Sequence, residues 1–222
     1  MEELLRSPLR IRGALVGPQL GDAPRGAALQ ALLGERGVEL QEVPAAEFGS
    51  AAETESPQGV IAIAEVPARS VASLPAAWTG VVLVLDAVQD PGNVGTILRT
   101  AAGLGAAATI ALPGTVDLWN AKVVRSGMGA HFHHLAFAAT WAELDELRSA
   151  SRIPLFAADA AGGALPRPLP ERAILVVGNE GAGLSTEARS RADTLVALRI
   201  APAVESLNVA VATGILLQQF QQ

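Results

Sequence analysis

At 222 residues and 22.7 kDa, with half its residues hydrophobic and a mean hydropathy of +0.35, the chain can build one or two globular domains around a sizeable core. It has no cysteine, which excludes disulfides and thiolate metal ligands, and no apolar run reaches the roughly 18–20 residues that a bilayer span needs. A net charge of −6 argues against a broad nucleic-acid-binding face, although local patches can still be basic.

Residues 1–72 read as a small α/β domain. Its first six residues look like the middle of a helix without a capping residue, so a complete version is expected to carry an earlier strand. No basic-then-apolar leader is seen there, and a reducing cytoplasm is the expected setting. Strands are predicted at 11–16, 38–43 and 59–65, with a helix at 27–33 that Gly34 and Gly37 close. The polar, small-residue-rich stretch 47–57 reads as a loop. A linker at 67–75, rich in Ser, Ala and Pro, ends the unit.

From Trp78 onward strands and helices alternate. A strand at 81–86, five apolar residues ending in Asp86, meets a turn in which Asp90 can cap a helix and Pro91 sits in its first turn. On that helix Val94, Ile97, Ala101 and Leu104 share one face, while Thr96, Arg99 and Thr100 fall on the other. Further strands are predicted at 107–112, 134–138, 153–157, 173–177 and 194–200. Helices are predicted at 117–128, at 141–150 and after Asn208. Alternation of this kind builds a mainly parallel sheet covered on both faces.

Three loops carry the chemistry. The first runs from Asp90 to Arg99: Asn93 offers an amide that both donates and accepts, Gly95 permits close backbone approach, and Arg99 has the fork to clamp a phosphate. The plain alternative is a capped helix with a solvated Arg. In the second, residues 178–183, three glycines at a strand end suit a ligand pressed against backbone, and packing gives little reason for Glu180 among them; the plain alternative is a Gly-rich strand-to-helix turn with an exposed Glu. The order G-x-x-G-x-G, late in the chain, is not a dinucleotide fingerprint, and no Walker loop is present. In the third, 205–208, Ser206 can cap the last helix, with Asn208 in the first turn and Val209, Ala212, Leu216 and Phe220 as its apolar face. No Gly-x-Ser-x-Gly elbow surrounds Ser206, so it is not read as an acyl nucleophile. His131, His133 and His134 lack metal-ligand spacing and read as sheet-edge histidines.

Together the loops resemble the three signature motifs of the SpoU (TrmH) family of RNA ribose 2′-O-methyltransferases. Asn93, Gly95 and Arg99 carry the first, Gly178, Glu180 and Gly183 the second, and Ser206, Leu207 and Asn208 the third. Residues 112–117, with Lys122, Arg125, Ser126 and Gly129, resemble the segment that connects the first two. The stretch 57–60 also resembles the end of the small ribosomal-protein-like RNA-binding domain that many members carry first.

The resemblance implies a trefoil-knotted, mainly parallel sheet with helices on both faces over 73–222, an exception to the rule against threaded chains, preceded by a shortened RNA-binding domain over 1–72. It implies a homodimer that binds S-adenosylmethionine, with Gly178, Ile200 and Leu207 holding the cofactor and Asn179 as a neighbouring contact. Asn93, Arg99, Glu180, Ser206 and Asn208 would form the catalytic set, with no metal. RNA is the implied partner, ribosomal RNA favoured over transfer RNA, with no membrane. Two other classes stay open: a catalytically inactive RNA-binding or ribosome-assembly protein on the same fold, and a small-molecule methyltransferase.

Overall fold

The computed structural model describes residues 1–52 and 57–221, and the chain divides into two compact units, Met1–Pro67 and Ala68–Gln222. In the smaller unit, helix α1 (Glu2–Arg6) precedes strand β1 (Ile11–Val16), helix α2 (Pro24–Glu35), strand β2 (Leu40–Glu42), helix α3 (Ala45–Ala51) and strand β3 (Val60–Ala64). β1 lies between β2, which runs parallel to it, and β3, which runs antiparallel. Ala14 and Val16 alternate inwards from β1, and Val16 packs with Leu29 and Leu33, one turn apart on α2, and with Leu5 and Leu20. The helix is longer at both ends than the 27–33 expected, because Pro24 supplies a pre-set first turn.

The loop expected over 47–57 is partly wrong. Residues 45–51 are helical, and Phe48, wholly buried, supplies the packing that its small polar neighbours lack. Of the remainder, 53–56 lie outside the described residues.

The larger unit holds β4 (Gly80–Asp86), α4 (Pro91–Gly103), β5 (Ala108–Ala111), α5 (Ala121–Ser126), β6 (Ala136–Ala138), α6 (Trp141–Ser151), β7 (Leu155–Gly163), β8 (Arg172–Gly178), α7 (Thr186–Arg191), β9 (Thr194–Val196) and α8 (Val209–Phe220). Its strands lie in the order β6-β5-β4-β8-β7-β9, and the ladders between them are parallel. Both faces of the sheet are buried. From β4, Val81, Leu83 and Leu85 join one cluster and Val82 and Val84 the other; β8 divides its residues the same way. The first cluster takes Val94, Ile97, Leu98 and Ala101 of α4 with Ala210, Leu216 and Leu217 of α8, and the second takes Trp141 and Leu144 of α6 with Ala188 of α7. That two-sided burial is why these strands read as continuous apolar runs.

β4 and β8 are neighbours in register from Gly80↔Arg172 to Asp86↔Gly178. The chain leaves β4 towards β5 and leaves β8 towards β9, in opposite directions across the sheet. Their carboxyl ends therefore flank a topological switch point, where open α/β sheets place ligands.

Several elements are shorter than expected, and the strands predicted at 38–43 and 134–138 span only 40–42 and 136–138. The helix predicted at 117–128 begins only at Ala121, because Asp117 Oδ1 accepts from the Trp119 amide at 3.0 Å and Asn120 then caps, accepting from Lys122 N at 2.9 Å. The strand predicted at 194–200 pairs only over 194–196.

The three histidines directly precede the edge strand β6; His131 and His134 are buried there and His133 is exposed. His131 lies in a single 3₁₀ turn and donates from Nε2 to the Leu118 carbonyl at 2.7 Å; its Nδ1 is buried without a partner among the described residues. His134 is buried and bonds Thr109 Oγ1 on β5 at 2.8 Å, while Arg69 donates to its carbonyl. Burial, then the charges of Arg69 and His131, push the His134 pKa down to about 4. Between pH 6.5 and about 4 the unfolded chain binds a proton that the folded chain refuses, so stability falls as pH drops through that window and levels off below it. We expect this to remove about 3 kcal/mol from the larger unit. Urea unfolding at several pH values should show a shallower acid loss in His134→Asn than in the unaltered chain.

Candidate active site

The site begins where β4 ends. Asp86 is buried and its Oδ2 accepts from the Ser185 amide at 2.7 Å, tying the end of β4 to the segment after β8. Ala87 follows in the left-handed region at φ 57°, and its carbonyl accepts from Asn179 Nδ2 at 2.8 Å. Asp90 caps α4 as expected, accepting from Asn93 N at 2.8 Å. At Gly95 a Cβ would overlap Ser126 Oγ, Val123 O and Gly127 N, so glycine allows α5 to seat directly on the first turns of α4.

The turn after β8 folds back on itself. Asn179 and Gly183 exchange two backbone hydrogen bonds of 2.9 and 3.0 Å, and a Cβ on Gly178 would meet the backbone of Gly183 and Leu184. Asn179 Oδ1 accepts from Gly181 N and Ala182 N, both at 2.9 Å. With its amide nitrogen on Ala87, the Asn179 side chain is committed to holding the turn.

That turn presents Glu180 to the start of α4. Its carboxylate accepts from Asn93 Nδ2 at 3.0 Å, from Asp90 N at 3.2 Å and from Gln89 N at 3.3 Å. Burial works to raise the Glu180 pKa, but the hydrogen bonds from Asn93 and from the backbone outweigh it, and the group sits below the usual carboxylate range. Glu180 is therefore an anion at neutral pH, placed where the partial positive charge of α4 favours one.

Asn208 completes the constellation. It donates from Nδ2 to Asn93 Oδ1 at 2.9 Å, so a relay runs from Asn208 through Asn93 to Glu180. Asn208, not Ser206, caps α8, accepting from Ala210 N at 2.9 Å and Val211 N at 3.3 Å. The cap lies two residues later than Ser206, and the buried face of α8 is accordingly Ala210, Thr213, Leu216 and Leu217.

The structure thus brings together Asn93, Glu180 and Asn208, with Gly178 and Asn179 in the same turn as Glu180. Arg99 is exposed on α4, and its side chain makes no hydrogen bond or ion pair among the described residues. Ser206 is exposed and Ile200 and Leu207 are half-buried, all three on the irregular segment between β9 and α8. Reading the sequence missed the supporting groups: Asp86, Ala87, Ser185 and the amides of Gln89 and Asp90. Of these only Asp86 leaves a trace, as an acid ending an apolar strand.

A methyl-donor nucleoside needs backbone donors and acceptors for its adenine and apolar contact for its ring. Among the described residues, Val204 N to Ala201 O is the only backbone pair within 198–207, so the amides of Ile200 and Leu207 remain open. Half-buried Leu198, Ile200 and Leu207 lie on the same stretch. These residues fit S-adenosylmethionine.

The comparisons with known proteins agree with this geometry. Residues 80–218 match the profile of the SpoU rRNA Methylase family, and residues 1–69 match that of RNA 2′-O ribose methyltransferase substrate binding. The 23S rRNA (guanosine(2553)-2′-O)-methyltransferase RlmP of Bacillus subtilis is 36% identical over 186 residues, covering 82% of this chain and 73% of that one. The 23S rRNA (adenosine(1067)-2′-O)-methyltransferase of Streptomyces laurentii is 33% identical over 205 residues, covering 90% and 76%. The crystal structure of an AdoMet-bound rRNA methyltransferase from Sinorhizobium meliloti superposes with a TM-score of 0.85 at 27% identity, covering all of this chain and 84% of that one.

Because Asn208 both caps α8 and orients Asn93, two substitutions separate the roles. Asn208→Ala should lower stability by about 1 kcal/mol, the usual loss of a cap. Asn208→Asp keeps the acceptor and should hold stability near that of the unaltered chain, while removing the donor to Asn93. Thermal unfolding of the two variants side by side checks the difference.

Proposed function

The chain belongs to the SpoU rRNA methylase family, and on that premise we propose that its Asn93–Glu180–Asn208 relay, with Arg99 and Ser206, methylates a ribose 2′-hydroxyl of ribosomal RNA. The protein is an S-adenosylmethionine-dependent RNA 2′-O-methyltransferase. The observation that carries the catalytic assignment is the relay itself, which joins the loops leaving β4, β8 and β9 through side chains that no packing demand requires.

S-adenosylmethionine supplies an electrophilic methyl group on a sulfonium. Gly178, Ile200 and Leu207 would hold it, largely through backbone groups, with Asn179 shaping the turn beneath. The reacting hydroxyl must lie in line with that methyl and lose its proton as the new bond forms, so positioning supplies much of the acceleration. Asn93 has one amide hydrogen and one carbonyl lone pair left after its two hydrogen bonds, enough to hold a ribose hydroxyl in one orientation. Asn208 borders the same group through its bond to Asn93 Oδ1, and Ser206 lies two residues before it in the chain. Arg99 anchors the adjacent phosphate with its planar fork of donors and polarises the hydroxyl.

In this reading residues 1–72 hold the RNA, the chain threads into a trefoil knot, and two copies pair about a two-fold axis. The two rRNA-modifying relatives act on guanosine and adenosine respectively, so the target base is set outside the shared motifs. No helix among the described residues is long and apolar enough to cross a membrane. The intact relay stands against a catalytically silent RNA-binding protein.

Arg99→Ala should cut methyl transfer to RNA by about 10²–10³-fold, as losing one preorganised charge-stabilising group does. Its affinity for S-adenosylmethionine, titrated by calorimetry, should stay unchanged. Full activity in the variant removes Arg99 from the chemistry, and loss of cofactor affinity reassigns it to the cofactor site.

A further inference from the structure

Lys122 and Arg125 lie together on one short helix, in a stretch of this acidic chain that holds few acids. Over 91–142 the sequence holds three cations, Arg99, Lys122 and Arg125, against one acid, Asp117, a local charge of +2 in a chain of −6. Elsewhere in the larger unit the arginines are mostly occupied. Arg148 pairs with Asp193 at 2.6 Å, Arg191 with Asp145 at 3.0 Å, and Arg189 with Asp159. Arg69, Arg167 and Arg172 donate to backbone carbonyls. Lys122 and Arg125 are exposed, and their side chains have no hydrogen-bond, ion-pair or ring partner among the described residues.

Their helix is also fixed in place. Ser126 Oγ lies 3.1 Å from the Pro91 carbonyl, which opens α4, and 2.8 Å from the Lys122 carbonyl. Val123 packs in the same buried cluster as Val94 and Ile97. With no side chain at Gly95 to hold the helices apart, α5 is seated against the turn that carries Asn93. Lys122 puts a cation in the first turn of so short a helix, which disfavours it, and no acid on α5 compensates. Helix stability does not explain Lys122.

Resting on the RNA methyltransferase reading, we propose that Lys122 and Arg125 are positioning residues: a phosphate clamp for the RNA strand flanking the nucleotide whose ribose enters the Asn93–Glu180–Asn208 site. Backbone phosphates are the ligand that two unpaired, solvent-facing cations beside such a site suit, and they carry no sequence information. The clamp sets where the strand lies without touching the reacting atoms.

The test uses the full chain with an RNA substrate that it methylates. In the Lys122→Ala/Arg125→Ala variant, KM for RNA should rise roughly tenfold. kcat at saturating RNA and the affinity for S-adenosylmethionine should hold. The slope of log K against log salt for RNA binding should fall by about 1.4, because two phosphates of a single strand are no longer neutralised. The charge-conserving Lys122→Arg/Arg125→Lys variant should restore both KM and slope. An unchanged salt slope, or a fall in kcat at unchanged KM, overturns the clamp. If the unaltered chain transfers no methyl to any RNA, the activity reading fails, and the salt slope of RNA binding still decides the clamp.

Discussion

The site depends on a carboxylate held at the start of a helix by groups that arrive from three distant parts of the chain. Glu180 lies 87 residues from Asn93 in sequence, and Asn93 lies 115 from Asn208, yet hydrogen bonds of 3.0 and 2.9 Å join them. Each member constrains the next. Glu180 fixes the amide end of Asn93, Asn208 fixes its carbonyl end, and Asn208 is itself fixed by capping α8. An amide restrained at both ends has one orientation left to offer a substrate, which is what a reaction limited by alignment requires.

The sheet makes that convergence possible. Because β4 and β8 are adjacent and parallel, with Asp86 opposite Gly178, the loops that leave them start side by side. Both strands bury both faces, so neither can slip by one residue without inverting its contacts with the two helical layers. Asp86 adds a polar lock by accepting from Ser185, and Asn179 adds another by donating to Ala87. These two side chains hold loops, and the Glu180 carboxylate is left to meet Asn93 and the start of α4.

How much of this can be read from the sequence follows from where each element draws its stability. The strands of the larger unit are visible because burial on both faces leaves runs of Val, Leu and Ile. α4 is visible because its cap, proline and apolar spacing are all local signals, and the structure keeps each of them. α3 is hidden because its stability comes from one buried ring, Phe48, whose surroundings are not written in the neighbouring residues. α5 looks longer in sequence because its apolar spacing runs through the Asp117 turn, and side-chain capping decides where a helix starts. The cap of α8 goes to Asn208 and not Ser206 for a similar reason. Both residue types can cap, and the choice is made by the contact with Asn93, which only the fold supplies.

The same distinction separates the two kinds of residue in the motifs. Asn179 and Gly178 show as motif residues, yet their geometry is spent on the turn: every polar group of the Asn179 side chain is engaged, and the Cβ position of Gly178 is filled by backbone. Asn93 and Arg99 keep unspent hydrogen-bonding capacity facing solvent. A pattern of residue types cannot tell these apart, since a scaffold residue and a reacting one are under the same demand to be that amino acid. Satisfied hydrogen bonds can. Asn93, bound through one amide hydrogen and one carbonyl lone pair, keeps one of each open beside the Glu180 carboxylate.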